Sequence, residues 1–463
     1  MKSAIYNITT PTPEGETILF NTLYGSTVVI DADTLPLVEK IIESPQTAST
    51  PREKEVLSSL RSGKFIIDDE VSEIDILCNR KRCGILDKNR ADVIIMPNLD
   101  CNFACPYCYE KHNHSKRMTT ETERAIAIWL GNIIDNHKVL LLNWFGGEPL
   151  LGYKTILSIT EFSKKRCKAN NVSLLTNITT NGYSFTESMI AKLIELEIFS
   201  YQITVDGPPA IHNKTRILKS GKGSFERVRE NIIALSKADE RVKISLRVNY
   251  NQNNIHHIPE LLSLFPQSIR SQLRIVYEPI FGSSELSATK NMSGEQISSA
   301  ITEYYELANN MGFDVVLGGL GIGKLVYCYA EREDQYIINY NADVFKCSVT
   351  DFDPGKRVGY INNNGEFVKD QKKWDFWFGM ELFEDKCKSC VFLPLCMGGC
   401  RKDRIENRAT GNYCNLVPTN TSHALKSIAF GSFNEILKKE IEISRNCAKK
   451  PQSAHDCNST LTF

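Results

Sequence analysis

Short apolar runs alternate with amphipathic helical segments through the middle of this chain. Runs long enough for a β-strand occur at residues 93–96, 139–145, 174–180, 201–205, 242–248 and 273–277. Segments with helical spacing lie between them, such as 121–134, which Thr119 or Thr120 can cap. This alternation predicts parallel β/α units, and six strands predict an α/β fold with a partial (β/α)6 barrel. Enzymes built this way place their sites at the carboxyl ends of the strands.

The pattern differs at the two ends of the chain. Residues 18–20 and 28–30 predict a hairpin, and helical spacing follows after Thr34 and again from Thr50 to Gly63. We therefore expect a small winged-helix-like module over residues 1–90. Residues 420–443 predict a further helix, and the polar segment from about residue 446 predicts a tail without packed structure.

Composition and charge narrow the class of protein. The chain has 463 residues, and its 55 Lys and Arg balance its 55 Asp and Glu. This balance favours neither nucleic acid nor an anionic membrane as a partner. No apolar run approaches a membrane span, and the first residues lack a signal peptide's apolar stretch, so we expect a cytoplasmic enzyme. In a reducing compartment, grouped cysteines among the 15 present are more often metal ligands than disulfides.

Three cysteines form a tight group just after the first predicted barrel strand. Cys101, Cys105 and Cys108 have the spacing C-x3-C-x2-C. Three thiolates on one loop can bind three irons of a [4Fe-4S] cluster and leave the fourth iron open to a ligand that is not protein. A zinc knuckle or a chance grouping is the alternative interpretation.

This spacing, with Tyr107 before the last cysteine, resembles the signature of the radical S-adenosylmethionine (SAM) superfamily. The resemblance implies that Cys101, Cys105 and Cys108 bind the catalytic cluster and that SAM chelates its open iron. It also implies a 5′-deoxyadenosyl radical that abstracts hydrogen from a substrate, with Tyr107 stacking near the adenine or shielding the cluster. Such chemistry belongs to the cofactor, and the protein positions it.

Candidate cofactor contacts follow the strands, although each could also be an ordinary turn. Gly146-Gly147-Glu148-Pro149 follows the second strand, where glycines allow close backbone approach and a carboxylate can accept from an ammonium group. In the radical SAM family the same motif binds the methionine amino group. By the same resemblance the ribose or carboxylate of SAM would contact further residues: Thr180, Asn181, Thr204, Asp206, Arg216, Arg247 and Asn249.

A second set of cysteines lies in the last third of the chain. It comprises Cys328, Cys347, Cys387, Cys390, Cys396, Cys400 and Cys414. Seven thiolates suffice for one four-cysteine cluster and one that lacks a single protein ligand. A structural zinc site over residues 387–400 is the alternative.

The spacing resembles the SPASM domain of peptide-modifying radical enzymes, which carries two auxiliary [4Fe-4S] clusters. The resemblance assigns one cluster to Cys328, Cys347 and Cys400, and the other to Cys387, Cys390, Cys396 and Cys414. One departure is Ala342, which stands where the family usually has glycine. A residue other than cysteine, a distant thiol such as Cys447 or Cys457, or the substrate would complete the first cluster. Cys78 and Cys83, which flank a charged linker at 79–82, and Cys167 are interpreted as unpaired.

The resemblance predicts four regions and a peptide substrate. The regions are a peptide-recognition module at 1–90, a radical SAM barrel at 91–315, a SPASM domain at 316–430 and a helix with tail at 431–463. The expected activity is a thioether or carbon-carbon crosslink in a ribosomally made precursor peptide. The N-terminal module would bind the leader as an added strand or merely steady the barrel. Three [4Fe-4S] clusters and SAM would be the cofactors, with flavodoxin or ferredoxin as reductant.

Two alternatives remain at this stage. One is oxidation of Cys or Ser to formylglycine, as in sulfatase maturases. Those enzymes carry an acid directly after the second cysteine of the SPASM region, whereas Ser348 follows Cys347 here and the nearest acids are Asp351 and Asp353. The other alternative is an iron-sulfur binding module without catalysis.

Overall fold

The fold centres on one sheet of ten strands. The structure is a computed structural model and describes residues 1–12, 15–110, 116–280, 294–315, 323–350, 352–378 and 381–406. Six parallel strands of the sheet follow one another in chain order. With the N-terminal strands counted first, they are β6 (Arg90–Ile95), β7 (Val139–Trp144), β8 (Ser173–Thr180), β9 (Ser200–Thr204), β10 (Lys243–Tyr250) and β11 (Leu273–Pro279).

These six strands confirm the predicted α/β architecture, and the order β11-β10-β9-β8-β7-β6 is that of an open barrel. Each neighbouring pair is parallel, as in Val93 opposite Leu142 and Leu246 opposite Ile203. All four of these side chains are fully buried. Because both faces of a parallel sheet are covered, its strands consist of nearly continuous apolar runs, which made them visible in the sequence.

Helices connect these strands and cover the outside of the sheet. They are α4 (Thr120–Asn136), α5 (Tyr153–Ala169), α6 (Glu187–Glu195), α7 (Pro209–Thr215), α8 (Phe225–Ala238), α9 (Ile258–Ser263) and α10 (Gly294–Asn310). Thr119 caps α4 by accepting from the backbone N–H of Thr122, as predicted. Its buried face carries Ile126, Trp129 and Leu130. Among the described residues, no helix is long and apolar enough to cross a membrane.

Four further strands extend the sheet beyond β6. They are β12 (Gln335–Ile338), β13 (Asp343–Phe345), β14 (Gly359–Ile361) and β15 (Phe367–Lys369). Strand β12 is parallel to β6, and the following pairs are antiparallel. This extension was not predicted. It places the segment with Cys328 and Cys347 at the edge of the barrel next to β6.

The N-terminal region contains the predicted hairpin and both predicted helices. Strand β2 (Asn7–Pro11) joins the hairpin of β3 (Thr17–Asn21) and β4 (Thr27–Ile30) in an antiparallel sheet, whereas β1 (Lys2–Ser3) pairs with β5 (Ile66–Ile67). Helices α1 (Leu35–Glu43) and α2 (Pro51–Ser62) follow the hairpin. Thr50 and Glu53 form a capping box at the start of α2.

The predicted charged linker at 79–82 is wrong. These residues belong to α3 (Glu73–Ile85), which begins at the capping residue Ser72. Lys81 is completely buried. The sequence suggested a linker because four polar residues in a row lack an apolar stripe, but the buried lysine finds ionic partners on distant segments.

Short helices occupy the last described segments: α11 (Gln371–Phe378), α12 (Asp385–Lys388), α13 (Leu393–Cys396) and α14 (Arg401–Glu406). The N-terminal region packs against them. Thr22 donates from Oγ1 to the carbonyl O of Val391 at 2.6 Å, and Tyr6 donates to that of Lys388 at 3.1 Å. The predicted helix at 420–443 and the predicted tail lie outside the described residues, and the domain boundaries stay predictions.

Candidate active site and cysteine clusters

The first cysteine group lies on the loop that leaves the carboxyl end of β6. Cys101 is buried, Cys105 is half-buried and Cys108 is exposed, so the loop runs from the core towards solvent. The thiol sulfur of Cys101 accepts from the backbone N–H of Phe103 at 3.4 Å, and Nδ2 of Asn181 lies 3.9 Å from it. The structure therefore brings predicted residues from two strand ends together.

The two glycines after β7 allow this loop to sit close to the next strand end. A Cβ on Gly146, whose φ is +121°, would lie 2.6 Å from the carbonyl O of Asn98. A Cβ on Gly147 would overlap the carbonyl O of Asp100. That same carbonyl accepts from the backbone N–H of Glu148 at 2.7 Å. Both glycines are thus required by close packing under the cysteine loop.

Glu148 is completely buried, and its carboxylate is held by three donors. It accepts from the hydroxyl of Thr180 at 2.7 Å, from the backbone N–H of Asn181 at 2.7 Å and from that of Leu150 at 3.0 Å. Burial raises the pKa of Glu148, and these hydrogen bonds oppose the rise. Pro149, the last residue of the motif, starts a 3-10 turn, Pro149–Gly152, which leads into α5. The predicted contact with an ammonium group stays a prediction.

A second network surrounds Asp206, which follows β9. The hydroxyl of Tyr107 donates to Oδ2 of Asp206 at 2.5 Å, and the backbone N–H of Asn249 donates to Oδ1 at 3.2 Å. Nη1 of Arg216 lies 3.5 Å from the Tyr107 hydroxyl, and Arg247 donates to Oδ1 of Asn249 at 2.9 Å. Burial raises the pKa of Asp206, whereas Arg216 lowers it. The predicted residues of β9 and β10 therefore converge on one hydrogen-bonded unit beneath Tyr107.

Two members of this network were not predicted from the sequence. Thr215 donates to Oδ2 of Asp206 at 3.0 Å, and Asn254 donates from Nδ2 to the carbonyl O of Asp206 at 2.8 Å. Thr215 directly precedes Arg216, but a lone threonine at the end of a helix carries no sequence signal. The predicted Thr204 lies buried at the end of β9.

The electrostatics of the cysteine loop fit a bound cluster. Burial raises the pKa of the Cys101 thiol to about 12 and also raises that of the half-buried Cys105. Thiolates at these positions need nearby positive charge, which iron supplies. Within the described residues, no three His, Cys, Asp or Glu side chains converge as closely as one metal ion requires. The ligands of a single ion must all converge on one centre, whereas the thiolates of a [4Fe-4S] cluster bind different irons.

Comparison with known families matches residues 95–265 to the radical SAM superfamily. This range contains the cysteine loop, the Gly146-Gly147-Glu148 motif and the Asp206 network. Residues 95–265 form a radical SAM domain. Such a domain implies an enzyme that uses SAM and a [4Fe-4S] cluster, and the first cysteine group fits that cluster.

Individual radical SAM relatives are distant. The cysteine-type anaerobic sulfatase-maturating enzyme of Clostridium novyi is 24% identical over 68% of this chain and 89% of the relative. The PqqA peptide cyclase of Bradyrhizobium diazoefficiens is 20% identical over 65% of this chain and 78% of the relative. A solved structure of native anSMEcpe with bound AdoMet and Cp18Cys peptide aligns with a TM-score of 0.58 at 20% identity, over 76% of this chain and 99% of that chain. This last likeness concerns the fold.

The later cysteines form two groups near this radical SAM domain. The thiolates of Cys328 and Cys400 lie close enough to Cys347 to raise its pKa, and Cys400 likewise raises the pKa of Cys328. Cys387, Cys390 and Cys396 share one short segment, in which the backbone N–H of Cys390 donates to the carbonyl O of Cys387 at 2.9 Å. The division of these cysteines into two cluster-binding sets stays a prediction. Cys414, the predicted fourth member of the second set, lies outside the described residues, as do Cys447 and Cys457.

The other cysteines have different surroundings. Cys83 is exposed on α3, and Cys167 is buried in α5, where burial raises its pKa to about 11. Cys78, also on α3, packs in the same apolar cluster as Cys387 and Cys396. No local pattern indicates this proximity, because more than 300 residues separate Cys78 from that segment.

The segment with Cys328 packs against the radical SAM domain near the cysteine loop. Tyr329 lies in the same apolar cluster as Leu99, which is two residues before Cys101, and Phe145, which directly follows β7. Tyr329 lies beside Cys328, and its hydroxyl is 2.5 Å from the Ser348 hydroxyl. Asp353 accepts from the backbone N–H of Gly355 in its own turn, and Asp351 lies outside the described residues. A neutral Tyr329–Ser348 pair therefore stands next to Cys347.

Proposed function

We propose that this radical SAM enzyme modifies a ribosomally made precursor peptide and installs a thioether or carbon-carbon crosslink. The observation that carries the proposal is the position of Tyr329, which adjoins Cys328 and packs with Leu99 and Phe145 beside the radical SAM loop. Among the relatives, the names of a sulfatase-maturating enzyme and a peptide cyclase both support a protein or peptide substrate.

Residues of the radical SAM domain would hold the cofactor. Cys101, Cys105 and Cys108 would bind the cluster, and the Gly146-Gly147-Glu148 segment would accept from the amino group of SAM. Arg216 and Arg247 would attract its carboxylate, since guanidinium groups suit that pairing. When bound, SAM and its cluster supply the radical that abstracts hydrogen from the substrate. The buried Asp206 network would keep Tyr107 and Arg216 in place beside them.

We assign two auxiliary [4Fe-4S] clusters to a SPASM domain, from Cys328, Cys347 and Cys400 and from Cys387, Cys390, Cys396 and Cys414. Forming a thioether removes a hydrogen atom from carbon and a proton from the thiol, which leaves one electron over. The auxiliary clusters would accept that electron, and flavodoxin or ferredoxin would deliver the electron that begins each turnover. An open iron in the first cluster would suit a substrate thiolate.

The N-terminal module offers a groove for a leader peptide. A cavity of about 500 Å³ lies between α2 and residues 64–71, and its lining includes Lys54, Arg61 and Lys64. Asp68 pairs with Arg61 at 3.0 Å, so two lysines remain to attract an acidic segment. Lys54→Glu should weaken binding of an acidic leader peptide in fluorescence anisotropy, whereas Lys165→Glu on the exposed face of α5 should not. Equal affinity for both variants would favour a purely packing role for the module.

The decisive experiment is anaerobic reconstitution of the full chain followed by incubation with dithionite, SAM and a Cys-containing precursor peptide encoded nearby. Mass spectrometry should show loss of two hydrogens, with a cysteine that resists alkylation after disulfides are reduced. Full alkylation despite the mass loss would indicate a carbon-carbon bond. The Cys105→Ala variant serves as the control without SAM cleavage. If the wild-type chain makes no 5′-deoxyadenosine, the noncatalytic alternative is correct.

A second candidate is oxidation of a substrate cysteine or serine to formylglycine. The 24% identity to a sulfatase-maturating enzyme across 89% of that relative favours it. The neutral Tyr329–Ser348 pair beside Cys347 disfavours it, because an acid is expected there in those enzymes. An aldehyde-specific hydrazide probe distinguishes the two reactions: labelled peptide means formylglycine, and an unlabelled peptide that has lost two hydrogens means a crosslink.

A further inference from the structure

A group of fully buried charged residues joins α3 to the segments that carry the auxiliary cysteines. Nζ of Lys81 lies 2.6 Å from Oε1 of Glu331, and neither side chain is exposed. The same Nζ donates to the carbonyl O of Met397 at 2.5 Å. Arg401 approaches Glu331 at 3.9 Å with 2% of its side chain exposed, and Arg404 is 1% exposed. We refer to the four charged residues Lys81, Glu331, Arg401 and Arg404 as the cation network.

Positive charge exceeds negative charge in the cation network. Lys81 and Arg401 share the one buried carboxylate of Glu331, whereas Arg404 pairs with the partly exposed Glu384. Glu384, which is 28% exposed, lies 3.3 Å from Arg404, and the half-buried Asp403 lies near Cys400. Nε and Nη1 of Arg401 and Nε of Arg404 have no hydrogen-bond acceptor in the described part of the chain. Buried charge without compensation is strongly destabilising, so this excess calls for an anionic neighbour.

The closest candidates are the two auxiliary cysteine sets. The backbone N–H of Glu331 donates to the carbonyl O of Cys328, and that of Arg404 donates to the carbonyl O of Cys400, both at 3.1 Å. Met397, which accepts from Lys81, directly follows Cys396. Lys81 therefore lies beside the segment of the second set, and Glu331 and Arg401 are within three residues of Cys328 and Cys400 of the first set. Clusters ligated by thiolates carry net negative charge, which would supply the missing compensation.

We infer that Lys81, Arg401 and Arg404 are the counter-charge of the auxiliary clusters and raise their reduction potentials. The inference rests on the proposed auxiliary clusters. Reduction adds one electron to a cluster, and buried positive charge stabilises the more negative, reduced form. A higher potential makes each auxiliary cluster a better acceptor for the electron released when the crosslink forms. Through Lys81, helix α3 of the N-terminal region contributes a positive charge near the auxiliary clusters.

Potentiometric EPR titration with dithionite tests this inference in the full chain. The background is the variant Cys101→Ala/Cys105→Ala/Cys108→Ala, which removes the radical SAM cluster and its signal. Iron analysis should find about eight irons per chain, as two cubes require. Adding Lys81→Met should lower the ratio of reduced to oxidised cluster about tenfold at fixed potential, which is about 59 mV for one electron. Lys81→Arg should restore the original potential.

Lys88→Met is the matched control, because it removes the same charge from an exposed position, where Lys88 pairs with Glu333 and Asp334 among the described residues. Its potential should equal that of the background. An unchanged potential in Lys81→Met with full iron content overturns the inference. If Lys81→Met loses iron while Lys81→Arg keeps it, the need for charge is supported, and equal loss in both means a steric role. A background variant without bound iron refutes the auxiliary clusters themselves, and the inference falls with them.

Discussion

Only a hydrogen atom fits at position 147 between the end of β7 and the cysteine loop. The Cβ of any other residue would overlap the carbonyl O of Asp100, a backbone atom that cannot swing away like a side chain. Because Asp100 directly precedes Cys101, a shift here moves the first predicted cluster ligand. The Gly-Gly pair thus has a steric role that is independent of any contact with SAM.

Gly147→Ala should therefore impair cluster binding before it affects the overall fold. We expect at least a tenfold loss of SAM cleavage and reduced iron content, because the loop must shift to relieve the overlap. Gly131→Ala in α4 is the control, since its Cβ would lie 3.6 Å from Phe162 and alanine favours a helix by about 1 kcal/mol. Iron analysis and 5′-deoxyadenosine assays measure both variants. Full activity of Gly147→Ala would contradict the steric role.

The backbone of Ala342 is strained, which explains why SPASM domains usually have glycine at this position. Its φ is +64°, in the left-handed region, at the turn between β12 and β13. That conformation costs a residue with a Cβ about 1–2 kcal/mol. The turn survives because Ala342 donates to the carbonyl O of Asn339 and accepts from the backbone N–H of Ile361.

Ala342→Gly should raise the thermal midpoint. We expect a gain of up to about 1 kcal/mol, since relief of the left-handed strain outweighs the extra freedom of glycine in the unfolded chain. The same substitution at Ala127, inside α4, should instead cost about 1 kcal/mol. Differential scanning calorimetry of both variants gives the comparison. A lower midpoint for Ala342→Gly would mean that the turn is not strained.

At the scale of elements, ionic contacts tie the edge strand β12 to the barrel. Nε2 of His137, at the end of α4, lies 3.3 Å from Oδ2 of Asp334, which precedes β12. The nearby carboxylate of Asp334 raises the pKa of His137. Asp334, despite its burial, has its pKa lowered to about 2 by His137 and Lys88. The pair is therefore most stabilising when both groups are charged.

This pair predicts a pH-dependent stability. The contribution of His137 is fully present below its unfolded pKa of about 6.5 and is lost as pH rises through the raised pKa of the folded state. The contribution of Asp334 is lost as pH falls from about 3.8 towards 2. His137→Gln should thus cost about 1.5 kcal/mol at pH 5.5 and much less at pH 8.5. Thermal midpoints at both pH values measure the difference, and exposed His256→Gln should show none.

At the scale of the whole molecule, the N-terminal region and the auxiliary cysteine segments form a continuous contact. Ile18 and Phe20 of β3 pack with Leu395, and Tyr6 and Leu77 pack with Phe383 and Met397. A peptide bound to the N-terminal region would therefore bind to a part of the protein that packs against the segment of the second cysteine set. The packing role and the recognition role of this region are compatible.

Cys400→Ala should separate SAM cleavage from product formation. Cys400 is assigned to the proposed first auxiliary cluster, so the variant should still produce 5′-deoxyadenosine but no crosslinked peptide. Cys83→Ala, which removes an exposed free thiol from α3, should keep both activities. Chromatography of 5′-deoxyadenosine and mass spectrometry of the peptide give the two readouts. Circular dichroism must confirm the fold, because clusters can also be structural. Product formation by Cys400→Ala would show that the first auxiliary set is dispensable.

The sequence by itself determined the elements whose signals are local. The six barrel strands were visible as apolar runs, Thr119 and Thr50 marked helix starts, and the spacing of Cys101, Cys105 and Cys108 pointed to the superfamily. These features depend on residues within a few positions of one another, so periodicity and spacing suffice to find them. The short strands from β12 to β15 were not predicted, because three or four residues are too few to show the alternation of a β-strand.

Only the tertiary structure decided which distant residues meet. Lys81 belongs to a run of four polar residues in the sequence, yet it is buried against Glu331 and Met397, which are 250 and 316 positions away. Asp206 and Tyr107 likewise meet across 99 positions. Such contacts arise because parallel strands bring loops from successive units to one edge and because the N-terminal region folds back on the last described segments. A buried ion pair leaves no local pattern, since its stability depends on partners that only the folded chain supplies.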